Sequence, residues 1–490
     1  MISLKLDRPD LIRTGAYIGG QWITDGPTFK VQNPADGSVV AEVLDGGPEL
    51  ARQAADAAAE AFETWRKALP KTRSDLLRRW FDLVTRHAED LARLMSLEQG
   101  KPLSESRAEI AYGAGYIEWF SEEARRNGGD VIPRNKDGRE MFALTEPLGV
   151  AAVVTPWNFP NAMIARKMAP AIAAGCTVVG KPAADTPLSA LALAALAEEA
   201  EFPPGLLNLV PAAHGNARGV VQAWQDDMRV RKLSFTGSTQ TGRKLAEAAA
   251  PTLKRLSLEL GGDAPFIVLD DADLDVALQA LKAAKFRNGG QACTAANRVL
   301  VHRDVQDAFV ARIEALIDGL KVGPATDPEA EIGPLIHQDA VAKVERLVGQ
   351  AIEAGAQLRR GGRVHPQLGG TFYAPTLLTG VTAEMEISRT EVFGPVIALQ
   401  TFADEAEAIR MANDTEYGLA AYLFSKDAGR CWRMTRALEF GVVGVNEGLV
   451  STEVAPFGGV KQSGYGREGS IHGLSEYQSL KYVCFGGIGD

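Results

Sequence analysis

Cysteine is scarce, with four residues in 490: Cys176, Cys293, Cys431 and Cys484. They stand far apart, with no CxxC pair and no Cys/His cluster, so their spacing argues against a zinc or other metal site. Scattered thiols also make a disulfide framework a poor reading and point to a reducing compartment. Long apolar runs are missing as well. The stretch 168–180 is typical of those present, and it falls short of the roughly 20 residues that span a bilayer. The first residues, MISLKLDRPDLIRTG, lack the apolar core of a secretory signal. Positive charge is not in excess: 52 Lys and Arg stand against 62 Asp and Glu, a net charge of −10. A nucleic-acid partner is therefore not expected, and neither is a membrane. Repeats, low-complexity tracts and long Pro/Gly/Ser linkers are absent too. What remains is a soluble, cytoplasmic chain, long enough for about three domains at roughly 150 residues each.

The pattern that is present is mostly strand and helix in turn. Residues 15–43 read as short strands turning at Gly19-Gly20, Asp25-Gly26 and Asp36-Gly37. Residues 48–126 are helical in period, as in Leu76, Leu77, Trp80, Phe81 and Val84. Residues 130–145 read as a hairpin turning at Asp137-Gly138. Strand-like runs at 150–154, 177–180, 206–210, 231–235 and 256–260 then alternate with alanine-rich helical segments. Five βα units in succession predict a parallel, doubly wound sheet. Such sheets bind ligands at the carboxyl ends of their strands. A second α/β run follows, with strands at 266–269 and 299–302 and helices at 273–286 and 305–320. Strand character returns at 395–401 and 441–446. A short helix after Ser470 and a strand at 479–485 close the chain. The expected architecture is α/β, with two α/β lobes and an N-terminal hairpin layer.

Five places carry possible chemistry. Gly237-Ser-Thr-Gln-Thr-Gly242 follows a strand and opens a helix, where free backbone N–H groups favour a phosphate. It is not GxGxxG, and a plain strand-to-helix turn explains it about as well. Lys181 leaves a buried strand and reads either as a ribose or phosphate ligand or as a solvated lysine. Cys293, in a glycine-rich turn, is either an exposed nucleophile or a packed free thiol. Glu259 sits in an apolar, strand-like run. There a carboxylate is costly unless paired or tuned for base work, and a solvated edge position is the alternative. Asn158, between two prolines, is either a fixed donor for an oxyanion or an ordinary turn residue.

Together these segments resemble the aldehyde dehydrogenase superfamily. They are TPWNFP (155–160), KPA (181–183), FTGST (235–239), LELGG (258–262), GQAC (290–293), EVFGP (391–395) and PFGG (456–459). They run in the family's order over nearly the whole chain. The resemblance implies a dinucleotide-binding lobe over 1–125 and 147–258 and a catalytic lobe over 259–458. It also implies oligomerisation or bridging segments, a small β arm, at 126–146 and 471–490. Cys293 then looks like the nucleophile, Asn158 the oxyanion donor and Glu259 the general base. The family pattern puts the cofactor, NADP or NAD, against Thr155, Pro156, Trp157, Lys181, Pro182, Ala183, Ala184, Gly237, Ser238, Gly242, Leu260, Glu391 and Phe393. A homotetramer or homodimer is expected on the same ground.

Within the superfamily the sequence is most similar to the succinate-semialdehyde dehydrogenases. The segments MIARK (163–167), KFRN (285–288), VSTEVAP (450–456) and GYGREG (464–469) carry this. The similarity implies that Arg166, Arg287 and Ser451 bind the substrate's carboxylate. Structural ion pairing is the alternative for the arginines. Two departures stand out. Ala295 replaces a second cysteine that some relatives carry, which removes a local disulfide switch. Ala184 replaces a glutamate that NAD-specific relatives place on the adenine ribose, so NADP should be tolerated, while the adjacent Asp185 could restore some preference for NAD. Competing readings are a glutarate-semialdehyde dehydrogenase, a broader-range aldehyde dehydrogenase and a CoA-acylating relative. Further off lie a catalytically silent cofactor-binding protein and a cofactor-free thiol hydrolase.

Overall fold

A computed structural model describes residues 3–126 and 128–487. The expected segments 1–125, 126–146 and 471–490 take in residues 1–2, 127 and 488–490, which lie outside the described residues. Two large sheets organise the chain, as the alternation of strand and helix predicts. The first has eight strands. In order they are Gly464–Tyr465, Arg255–Glu259, Val230–Thr236, Val150–Val154, Thr177–Lys181, Leu207–Leu209, Ala16–Ile18 and Gln21–Ile23. The five from Arg255–Glu259 to Leu207–Leu209 are parallel. In Val150–Val154, Ala151 and Val153 join one core cluster while Val150, Ala152 and Val154 join another. Successive side chains point to opposite faces, and here both faces are covered. One cover is the helix Pro48–Trp65, whose Ala51, Ala54, Ala55 and Ala58 form a buried stripe at helical spacing.

The expected N-terminal hairpin layer is found in part: Thr28–Gln32 and Val39–Leu44 pair as a two-stranded antiparallel sheet of their own. The hairpin Ala16–Ile18/Gln21–Ile23 is no separate layer; Tyr17 pairs with Leu209 and extends the first sheet antiparallel. The other edge of that sheet comes from far along the chain, where Gly464–Tyr465 pairs with Leu258–Glu259.

The second sheet has seven strands: Gln357–Arg360, Thr376–Thr379, Val396–Phe402, Ala296–His302, Ala264–Val268, Ala420–Phe424 and Val442–Val445. All neighbours are parallel except the first pair. Three of these strands, at 357–360, 376–379 and 420–424, are not foreseen from sequence. The helices Gln338–Glu353, Glu405–Asn413 and Ala428–Ala437 are likewise missed. Ala420–Phe424 shows why: all five residues are buried, so the alternation that marks a half-buried strand is lost. A third sheet, Gln478–Gly486, Arg139–Pro147 and Asp130–Ile132, is an antiparallel arm. It holds Val131 and Leu480 more than 70% exposed, at 74% and 73%. No helix among the described residues is long and apolar enough to cross a membrane.

Candidate active site

In the first sheet the chain moves outward from Val150–Val154 to one side and then returns to the other with Val230–Thr236. The loops after these two strands meet at that reversal, where open α/β sheets hold ligands. The second sheet meets them with the opposite ends of its strands. Cys293 precedes Ala296–His302, and Glu391 and Phe393 precede Val396–Phe402. The carboxyl-end rule therefore holds for the first lobe only. Between the lobes lies a crevice of about 440 Å³. Pro156, Trp157, Asn158, Arg166, Gly237, Ser238, Leu260, Arg287, Cys293, Glu391, Phe393 and Ser451 all line it. Residues drawn from widely separated motifs thus share one cavity.

Cys293 reaches the crevice through a sharp turn. The helix Leu274–Phe286 ends, and Asn288, Gly289 and Gly290 take φ of 51°, 63° and 78°. A side chain at Gly290 would meet the Gly394 carbonyl oxygen at 2.2 Å, so only glycine lets the two loops close together. The thiol is partly exposed. Burial of its surroundings pushes its pKa up to about 12, with Arg166 opposing and Glu259 adding to the rise. A thiol held that high does not ionise unaided at neutral pH, so it needs a proton acceptor when it attacks. The Asn158 side chain is fixed at both ends: Oδ1 accepts from the Phe159 N–H at 3.1 Å, and Nδ2 donates to the Gln291 carbonyl at 2.9 Å. That bond spends one of its two N–H groups.

Glu259 ends its strand 2% exposed, with neither carboxylate oxygen hydrogen-bonded. A solvated edge position is excluded. Burial, and then the neighbouring Glu468, raise it to about 8, while Arg166, Lys167 and Arg467 pull it down. It does not line the crevice. Its carboxyl lies behind the wall at Gly458, where an added Cβ would stand 2.8 Å from Oε1.

On the other side of Cys293, Ser238 caps the helix Thr239–Ala249 by accepting from the Thr241 N–H at 3.3 Å. Gly242 lets Leu260 pack on that helix, since a Cβ there would sit 2.4 Å from a Leu260 methyl. Glu391 accepts one bond from the Gly262 N–H at 3.2 Å, and burial raises its carboxyl to about 7. Phe393, with φ of 58°, stands edge-on to Trp157 at 5.6 Å. Thr155, Lys181, Pro182 and Ala183 lie outside this crevice. Lys181 is buried and donates to the Pro182 carbonyl at 2.8 Å. Ala184 lines a second cleft of about 310 Å³ together with Asp185 and His214. There Asp185 faces the His214 ring at 3.3 Å, and that bond raises the histidine's pKa. A capped helix start, an under-bonded carboxylate and a flat aromatic wall in one crevice fit a dinucleotide.

The two arginines differ in a way the sequence does not show. Arg166 is 1% exposed, ion-paired to Glu468, and lies 4.8 Å from the Phe457 ring centre. Lys167 pairs with the same Glu468. Among the described residues the Arg287 side chain makes no ion pair or hydrogen bond, though its charge lowers the Glu105 carboxyl, which burial raises to about 7. Its guanidinium lies against the rings of Phe159 and Tyr112, at 4.6 and 5.8 Å. Ser451 likewise offers its hydroxyl to the crevice without a partner.

The sequence pattern of the aldehyde dehydrogenase family matches residues 22–483. The chain belongs to the aldehyde dehydrogenase family. It is 52% identical to the mitochondrial succinate-semialdehyde dehydrogenase of Arabidopsis thaliana, over 99% of this chain and 92% of that one. It is 48% identical to the glutarate-semialdehyde dehydrogenase of Pseudomonas aeruginosa, over 99% and 100%. The crystal structure of an NADP-dependent enzyme of E. coli superposes with a TM-score of 0.96 at 49% identity, covering 98% of this chain and all of that one. The expected aldehyde dehydrogenase fold, with two α/β lobes, is the fold observed.

Sequence reasoning missed several residues that shape this site. Glu468 lies in the quoted GYGREG segment, but nothing local marks it as the partner of two cations on a distant helix. Phe457 lies in the quoted PFGG segment with no role assigned to it, and Tyr112 carries no motif; both flank the arginines.

Proposed function

We propose that this enzyme oxidises a short ω-carboxy aldehyde, succinate semialdehyde first, to the dicarboxylate. The carrying observation is Arg287, whose guanidinium makes no ion pair or hydrogen bond among the described residues and lines a largely apolar crevice with Cys293. Arginine binds a carboxylate through two parallel bonds, and its flanking rings hold it in place. Ser451 adds a hydroxyl, and Arg166 adds positive charge that Glu468 partly offsets.

The reaction begins with attack of the Cys293 sulfur on the aldehyde carbon as its proton passes to the Glu259 carboxylate and from there to solvent. The carbonyl pair moves to oxygen, where the second Asn158 N–H and the Cys293 backbone N–H receive it; one such donor contributes about 3 kcal/mol. NADP or NAD, if bound in the crevice, would supply the hydride acceptor for oxidation of the thiohemiacetal to a thioester. Glu259 then takes a proton from water as its oxygen attacks, and the sulfur leaves. Glu259 does this in its ionised form, and its side chain must swing from behind Gly458 to reach the water.

Gly237, Ser238 and Gly242 hold the pyrophosphate end, Lys181 and Glu391 the riboses, and Thr155–Trp157, Pro182–Ala184, Leu260 and Phe393 the remaining surface. On this reading 1–125 and 147–258 bind the cofactor and 259–458 carry the catalytic cysteine. Ala184 leaves room for a 2′-phosphate, and Asp185 is already engaged by His214, which favours NADP use. The apolar arm suits pairing between copies, as a homotetramer or homodimer, and the cytoplasm is the proposed compartment.

Glutarate semialdehyde is the second reading, favoured by the Pseudomonas relative's name. One methylene discriminates by only about 1–3 kcal/mol. Steady-state kinetics over three- to six-carbon ω-carboxy aldehydes, with each cofactor, tests both readings. A kcat/KM maximum at four carbons supports the first and at five the second. A preference for neutral aldehydes over all of them would reject the proposal.

A further inference from the structure

We infer that Lys101, paired with Glu109, is a positioning residue for the Asn158 oxyanion donor; this rests on the role proposed for Asn158. Lys101 follows the helix Ala88–Gln99, and Glu109 lies on the helix Leu103–Glu123. Both side chains are 1% exposed, and Lys101 Nζ donates to Glu109 Oε2 at 2.5 Å. The same Nζ donates to the backbone carbonyl of Asn158 at 2.7 Å. Glu109 Oε1 accepts from the N–H groups of Asn161 and Ala162, at 3.0 and 3.2 Å. One ion pair therefore grips the TPWNFP loop on both sides of its turn.

The grip extends to the cysteine loop. The Asn158 carbonyl also accepts from Asn288 Nδ2 at 2.9 Å, and Asn288 Oδ1 accepts from Gln99 Nε2 at 3.0 Å. Gln99 Oε1 in turn accepts from the Lys101 N–H at 3.0 Å. Residues 99–109 thus tie the loop bearing the oxyanion donor to the turn bearing the nucleophile. Neither Lys101 nor Glu109 lines the crevice, so neither touches substrate. A buried ion pair is weak evidence for stability, since apolar replacements are often neutral or better. Its bonds to this loop give it another use, namely holding Asn158 where the oxyanion forms.

The test is a double-mutant cycle. Lys101→Met with Glu109→Gln removes both charges of the pair, while the Glu105 carboxylate beside Lys101 keeps the charge of Arg287. A misplacement of about 1 Å remote from the chemistry costs up to about 100-fold in rate. The expected loss is about 10- to 100-fold in kcat, with the aldehyde KM and the cofactor Kd, read by fluorescence quenching, little changed. In an Asn158→Ala background the same replacement should cost no more than about two-fold, the spread of independent sites. Should that double replacement fail to fold, Lys101→Arg, which keeps the charge but moves the donor atoms, is carried through the same cycle. An undiminished loss in the Asn158→Ala background, or no loss in the parent, overturns the inference. An Asn158→Ala enzyme that keeps full kcat overturns the oxyanion reading instead, and that single variant shows it separately.

Discussion

Replacing Arg287 by leucine removes a charge while keeping most of the apolar volume between Phe159 and Tyr112. The native guanidinium makes no ion pair or hydrogen bond among the described residues; the Glu105 carboxylate loses one of two neighbouring positive charges but keeps Lys101, so the fold should be only modestly disturbed. What is lost is its bond to the substrate's carboxylate. A hydrogen bond to a charged group contributes about 1.5–3 kcal/mol. At about 1.4 kcal/mol per decade this is roughly a 10- to 150-fold fall in kcat/KM for succinate semialdehyde. Butanal, of the same length but neutral, should lose less than about three-fold, because Cys293, Asn158 and Glu259 are untouched. Arg166→Leu should behave differently. It deprives Glu468 of one of two buried cations, so it should lower the melting temperature and harm both aldehydes. The assay is steady-state kinetics with both substrates at saturating cofactor, beside a thermal melt. Equal losses on the two aldehydes for Arg287→Leu would refute carboxylate recognition by that residue.

Other variants probe the chemistry and the cofactor. Cys293→Ala should abolish oxidation while cofactor affinity by fluorescence quenching stays within a few-fold; more than a few per cent of residual activity would remove Cys293 from its role. Glu259→Gln should slow thioester hydrolysis more than hydride transfer, seen in stopped flow as a burst of reduced cofactor before a slow steady state. Because burial and Glu468 raise Glu259 to about 8 and only its ionised form accepts a proton, hydrolysis should climb with pH through about 8 and then level. Glu259→Gln should flatten that limb in single-turnover deacylation. Ala184→Glu should shift the ratio of kcat/KM values from NADP towards NAD, and an unchanged ratio would move the 2′-discrimination elsewhere.

Much of this was legible before any coordinates. The first sheet's five parallel strands alternate so regularly with helices that one matches at both ends and the ends of the others differ by no more than one residue. The cofactor and cysteine motifs could be placed because each is short, local and tied to a turn. What stayed hidden is relational. No local pattern says that Glu468, three residues after the Gly464–Tyr465 edge strand, comes back to neutralise Arg166. Without that contact the two arginines look equivalent; with it, Arg166 is ion-paired and Arg287 makes no ion pair among the described residues. The Lys101–Glu109 pair was equally silent, since a lysine and a glutamate eight residues apart read as solvated helix charges. The strands at 357–360 and 376–379 were missed because they are four residues long and their pairing is set by partners far along the chain.

The most direct test of the account is to trap the covalent intermediate. Glu259→Gln is mixed with succinate semialdehyde and NADP, quenched in acid during the burst, digested, and mapped by mass spectrometry. The account predicts a succinyl thioester on the peptide containing Cys293, and a much weaker butyryl adduct when butanal replaces the semialdehyde at the same concentration. A succinyl group on Cys176, Cys431 or Cys484, or turnover with no acyl-cysteine at any time point, would contradict it.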